Sequence, residues 1–332
     1  PGHSSAAVAA YPELSCGIKN RYEVVKTFGI FDNVFCPNEK TFRFLEDVFS
    51  EVAALFPGTY IHIGGDECPK TAWKQCSHCQ GLMKKLNLKD ENQLQSYFIH
   101  EVEKIVNRQG KQIIGWDEIL DGGLAPNATV MSWRGEKGGI EAAKSGHSVI
   151  MMPNADTYLN YYQEDPEYAP IGSGSFLPIE QVYSYEPIPA QMNDRDKKYV
   201  LGMEAALWTP YMKNPDVVDY YMYPRFYAVA EVAWTPAEAK NYTDFLARIR
   251  KQYARLDLQQ VKACRNYFDA YIDGAFNKRT RKFEVRITGM IPGSEIRYTT
   301  DGRIPTLASN VYSNPIVLHK NTTIKAAIFT PD

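Results

Sequence analysis

Gly64-Gly65-Asp66-Glu67 sets two adjacent carboxylates directly behind a glycine pair. Tyr60 to Ile63 reads as a short buried strand, so the acids are expected at its carboxyl end, where α/β folds present their chemistry. Glycine there lets the backbone turn sharply and approach a ligand. A plainer reading has Asp66 capping a helix and Glu67 adding charge to its first turn. Trp116, Trp133, Tyr158 and Trp208 fall at the ends of later strand-like stretches, and aromatic faces suit sugar rings. Carboxylates among aromatics suit glycoside hydrolysis, in which one carboxyl protonates the leaving oxygen. Neighbouring residues point in different directions, so this pair need not straddle a scissile bond. That fits an enzyme whose nucleophile belongs to the substrate.

The elements that position these residues alternate. Helical spacing runs from Lys40 to Phe56, opened by Asn38 or Thr41 and closed by Pro57-Gly58, and again from Glu91 to Gln109. Strands are expected at Lys111–Glu118, Thr129–Gly135, His147–Met152 and Tyr199–Trp208, with a short helix over Ile140–Ser145 and long helices over Tyr220–Trp234 and Asp244–Phe268. Strands alternating with helices imply a parallel sheet with right-handed crossovers. Chemistry-bearing residues at every strand end predict a (β/α)8 TIM barrel of which about strands 4–8 are present, the first three being expected before Pro1. An open doubly wound sheet is the alternative, and it would place its site at one switch point. After Asp273-Gly274 the pattern alternates with period two, predicting a small all-β, sandwich-like module over residues 275–332 behind a catalytic region over residues 1–274.

With 332 residues, 44% apolar and 23% charged, the chain can bury a large core and form more than one domain. A net charge of −2 supplies no electrostatic reason to bind nucleic acid, and no apolar run is long enough for a membrane span. Six cysteines are too few for a disulfide scaffold at this length. Cys68, Cys76 and Cys79 cluster in sequence; Cys76-x-x-Cys79 suggests zinc but lacks a fourth ligand unless His78, awkwardly placed between them, serves. Structural thiols or a disulfide are the other readings, and Cys16 and Cys36 could pair in an oxidising compartment.

His62-Ile63-Gly64-Gly65-Asp66-Glu67 resembles the signature of family 20 glycoside hydrolases, the β-N-acetylhexosaminidases. Pro1-Gly2-His3 resembles the end of that family's third-strand motif. Gly115-Trp116-Asp117-Glu118, Ser132-Trp133-Arg134-Gly135, Tyr158-Leu159-Asn160 and Glu204-Ala205-Ala206-Leu207-Trp208 are similar to its fifth to eighth strand ends, and Pro224-Arg225 to the helix that follows. The segment around Tyr298-Thr299-Thr300-Asp301-Gly302 resembles a domain appended to bacterial members.

The resemblance implies exo-acting release of terminal N-acetylglucosamine or N-acetylgalactosamine from glycans, with retention, by a substrate-assisted route and without metal or organic cofactor. It makes Glu67 the general acid, Asp66 the residue that orients the 2-acetamido group, and Tyr158 the donor to that group's carbonyl oxygen. Trp116, Trp133 and Trp208 would wall the sugar, and His3 would sit near Glu67. Asn160 stands where the family carries Asp, and Pro210 where it carries a Glu that binds distal hydroxyls. Action in the periplasm, at the cell surface or after secretion is implied too. Two rivals stay open: a glycan-binding relative without hydrolysis, and a retaining glycosidase that uses Glu118 or Glu204 as nucleophile.

Overall fold

The structure, a computed structural model, describes residues 2–17 and 21–330; Pro1 of the Pro-Gly-His motif lies outside them. The chain divides into two compact units, Pro1–Tyr158 with Glu186–Ala206, and Leu159–Tyr185 with Leu207–Asp332.

The first unit is built on a five-stranded sheet, β1 (Tyr60–His62), β2 (Gln112–Trp116), β3 (Thr129–Ser132), β4 (Val149–Met151) and β5 (Val200–Met203). All neighbours are parallel, and the spatial order is the sequence order, β1-β2-β3-β4-β5. A doubly wound sheet reverses direction at a switch point. This sheet has none, so that alternative is excluded, and sequential order is what a barrel-type fold requires.

The α-helices among the described residues of this unit and the start of the next are α1 (Ser5–Ala10), α2 (Glu39–Leu55), α3 (Thr71–Gln75), α4 (Ser77–Lys85), α5 (Glu91–Arg108), α6 (Lys137–Lys144), α7 (Asn154–Thr157) and α8 (Ile179–Ser184). Asn38 opens α2 by accepting from the Thr41 amide, and Asp90 opens α5 by accepting from Gln93. The apolar stripe of α5, Leu94, Phe98, Ile99, Val102 and Val106, is fully withdrawn from solvent. Gly139 lets α6 lie close on the sheet, since a Cβ there would stand 2.5 Å from Met151 Sδ. The strands are shorter than the stretches expected from the sequence, and of the residues at their ends only Trp116 still lies in the ladder, paired with Met131.

In the second unit the expected long helix over Tyr220–Trp234 is two, α9 (Pro215–Met222) and α10 (Arg225–Trp234). Pro224 donates no amide hydrogen and forces Tyr223 into an extended conformation. The next helix, α11 (Tyr242–Leu258), also stops short of the expected Phe268, because Gln260 turns into the left-handed region at φ +59°. Arg225 is fully buried and donates to the carbonyls of Leu159, Leu177 and Tyr221. Burial pulls its guanidinium down to about 9.

The β module consists of two three-stranded antiparallel sheets. One is ordered β10 (Ile316–Leu318), β7 (Lys282–Gly289), β6 (Ala270–Asn277); the other β11 (Lys325–Phe329), β8 (Glu295–Thr299), β9 (Asn310–Val311). Pairing of β6 with β7 begins at Ala270, so the first strand crosses the expected junction at 274/275.

Candidate active site

Beyond β1 the ladder continues for one more step, with Ile63 N–H donating to Ile114 O at 2.8 Å and Trp116 N–H to Gly64 O at 2.9 Å. The chain then turns through Gly64 (φ +72°) and Gly65 (φ +102°). A Cβ on Gly65 would stand 2.6 Å from Ile119 Cγ2, so glycine is required there by both conformation and space. Gln95, a polar residue within the apolar stripe of α5, donates to Gly65 O at 2.8 Å. The next helix, α3, starts at Thr71 with Lys70 at its cap position, so Asp66 caps no helix and Glu67 lies outside its first turn.

Glu67 itself sits at φ +43°, a conformation that costs a non-glycine residue and is found where function demands it. His3 is likewise at φ +53°. Its Nε2 stands 3.1 Å from Asp66 Oδ2 and 3.1 Å from Glu67 Oε2, so one imidazole nitrogen faces both acids. The passage is tight: a Cβ on Gly2 would meet Asp66 O at 2.2 Å.

An aromatic row follows the strand ends. The His62 and Trp116 ring centroids are 4.6 Å apart, Trp116 meets Trp133 edge-on at 6.5 Å, and Trp133 lies nearly parallel to Tyr158 at 6.3 Å and 12°. His62 also accepts from Gly64 N–H at Nδ1, 3.1 Å away. Tyr158 is held at the end of its strand segment by a parallel bridge to Ala206. Thus the structure brings His3, Asp66 and Glu67 into contact, and Trp116, Trp133 and Tyr158 into one row.

Asn160 and Trp208 belong to the second unit. There Asn160 is buried and its Oδ1 accepts from the Trp208 backbone N–H at 3.4 Å, while the Trp208 side chain is exposed. The carboxamide at 160 therefore supports the backbone beneath Trp208.

Asp117 and Arg134 carried no assigned pocket role in the sequence, and Glu118 only that of a rival nucleophile. Asp117 accepts from Trp133 N–H (3.1 Å) and Arg134 Nε (2.9 Å), and Glu118 Oε2 accepts from the Trp133 indole Nε1–H at 2.9 Å. Burial raises the Glu118 carboxyl above its ordinary range, against the pull of Trp133 and Arg134. A cavity of about 470 Å³ opens beside the general-acid candidate, lined by Glu67, Lys70, Gln95, Glu118, Asp121 and Arg134 among others. The signal for Asp117 and Glu118 was present, since both lie in the Gly-Trp-Asp-Glu motif. Gln95 could have been found as the polar interruption of an apolar helix face.

The cysteines follow the structural-thiol reading but group differently from their spacing in sequence. Among the described residues no disulfide forms, and all six cysteines are free. Cys16 and Cys36 gather with Cys76 and Cys79 rather than pairing with each other, whereas Cys68 turns to Pro69 O. His78 directs Nε2 to Pro37 O at 3.2 Å.

A parallel sheet that carries paired acids and an aromatic row at its carboxyl edge defines a barrel-type glycoside hydrolase domain. The pattern described as "Glycosyl hydrolase family 20, catalytic domain" matches residues 1–237, and an "Fn3 associated" pattern matches residues 285–332. The chain is 44% identical to a beta-hexosaminidase of Porphyromonas gingivalis over 99% of its own length and 43% of that protein's, and 37% identical to one of Vibrio furnissii over 69% and 38%. A solved Vibrio harveyi GH20 exo beta-N-acetylglucosaminidase in complex with N-acetylglucosamine superposes with a TM-score of 0.69 at 34% identity, covering 79% of this chain and 42% of that one. The chain belongs to glycosyl hydrolase family 20. It spans less than half the length of these relatives.

Proposed function

We propose that the protein is an exo-β-N-acetylhexosaminidase that removes terminal N-acetylglucosamine or N-acetylgalactosamine by a retaining, substrate-assisted mechanism. The observation that carries this reading is the His3–Asp66–Glu67 contact at a parallel strand end. Glu67 protonates the glycosidic oxygen while the acetamido carbonyl oxygen of the substrate attacks the anomeric carbon. Asp66 receives the amide N–H and stabilises the charge that develops as the oxazolinium ring closes. Tyr158 donates to the attacking carbonyl oxygen. Glu67 then takes a proton from water, which opens the ring with net retention. Trp116, Trp133 and Trp208 supply apolar faces for the sugar.

Glu118 is a poor alternative nucleophile, because both Trp133 and Arg134 engage its carboxylate. The complex of the Vibrio harveyi relative with N-acetylglucosamine supports the substrate class. We further read β1–β5 as strands four to eight of an eight-stranded barrel, residues 275–332 as most of an appended β module, and the site of action as outside the cytoplasm.

The test uses the full-length protein with a chromogenic β-N-acetylglucosaminide and a thiazoline mimic of the cyclised intermediate. Turnover should be inhibited by the thiazoline and should fall by about 10²–10⁴ in Glu67→Gln. Glycan binding without turnover would favour a binding protein instead, and covalent labelling by a 2-fluoro sugar would favour an enzymic nucleophile.

A further inference from the structure

Four thiols from two separate parts of the first unit converge away from the acids. Cys16 and Cys36 lie at the ends of a segment that, among its described residues, forms no helix or strand. Cys76 and Cys79 straddle the start of α4, with Cys76 at its cap position and Cys79 in its first turn. The Sγ atoms of Cys16 and Cys36 each stand 3.7 Å from Cys79 Sγ, and all four sulfurs fall within 4.8 Å of one another.

The spacing discriminates between chemistries. A disulfide would bring two sulfurs to about 2.05 Å. A tetrahedral zinc with bonds of about 2.3 Å separates its sulfurs by about 3.8 Å. We propose that Cys16, Cys36, Cys76 and Cys79 hold a structural zinc ion.

The surroundings fit this role. Cys36, Cys76 and Cys79 are buried, and Val34, Trp73, Met83 and Leu94 pack in the same apolar cluster. Four thiolates in such a setting repel one another unless a cation neutralises them. Four protein sulfurs also complete a tetrahedron, leaving no open position for substrate or water, as structural zinc sites do. The ion would tie the chain that follows His3 to the chain that follows Asp66 and Glu67, bracing their contact from a distance.

The proposal is independent of the glycosidase reading, and its test needs no substrate. Full-length protein purified without a metal-affinity step should contain one zinc per chain by elemental analysis. Titration with a mercurial should release that zinc as four thiols react. Cys79→Ser should lose the zinc, whereas Cys68→Ser should retain it; should Cys79→Ser fail to fold, the count in unaltered protein still decides. Two disulfides among these four residues in peptide mapping, four free thiols without metal, or iron in place of zinc would each overturn the assignment.

Discussion

The Trp133 indole donates to Glu118 Oε2 at 2.9 Å, so the ring that lies parallel to Tyr158 is oriented by an acid two residues beyond the end of a neighbouring strand. Truncating Glu118 to Ala frees that ring and leaves a part-buried indole N–H without this partner. Turnover should fall by about 10- to 100-fold through misplacement of the sugar wall, with circular dichroism unchanged. Wild-type steady-state kinetics in Glu118→Ala would remove Glu118 from the site.

Burial of Glu118 also has a pH signature. Its folded carboxyl binds a proton more tightly than the unfolded one, so stability declines as pH rises from about 4.5 through the raised folded value, then levels off. Glu118→Gln cannot ionise and lacks this decline. Calorimetry should therefore find the melting temperature of Glu118→Gln gaining on the wild type between acid and neutral pH. A gap that moves the other way would contradict the burial argument.

His3→Ala should lower kcat/KM by about 10- to 10³-fold, since it removes the nitrogen shared by Asp66 and Glu67. Added to Glu67→Gln it should cost little more, because groups that act as one unit are not additive. Full additivity in the double variant would mean that the histidine acts elsewhere.

Gly65→Ala places a methyl 2.6 Å from Ile119 Cγ2 at a backbone angle of +102°. Denaturant unfolding should show a loss of about 2–4 kcal/mol, and activity should fall with it as the acids are displaced. Recovery by Ile119→Ala would trace part of the loss to this clash.

Arg225→Met should destabilise the protein by about 3 kcal/mol or more, because three buried carbonyls lose their donor together. An unchanged denaturation midpoint would mean that water satisfies those carbonyls.

The strand-end acids and tryptophans could be read from the chain because strand, glycine break and functional side chain follow one another in a few residues. Local pattern reached the parallel sheet for the same reason, while strand limits stayed loose where the ladder ends before the motif does. Tyr220–Trp234 was misread as one helix because helical apolar spacing outweighed Pro224, which lacks a donor and bends its predecessor. The thiol cluster was only half visible. Cys76-x-x-Cys79 is a local signal, but Cys16 and Cys36 reach it through tertiary folding that no spacing announces. The bond from the residue 208 amide to Asn160 spans a long stretch of chain, so no local pattern announced it.

Gly2 crosses Asp66 so closely that residue 3 reaches its partners only once the intervening chain has folded. Closing so long a loop is slow relative to forming a local helix. On the ribosome His3 emerges before Asp66 and Glu67 and waits for them. In refolding, recovery of activity should lag behind recovery of helical signal, which would make catalysis itself a clock for the last long-range closure.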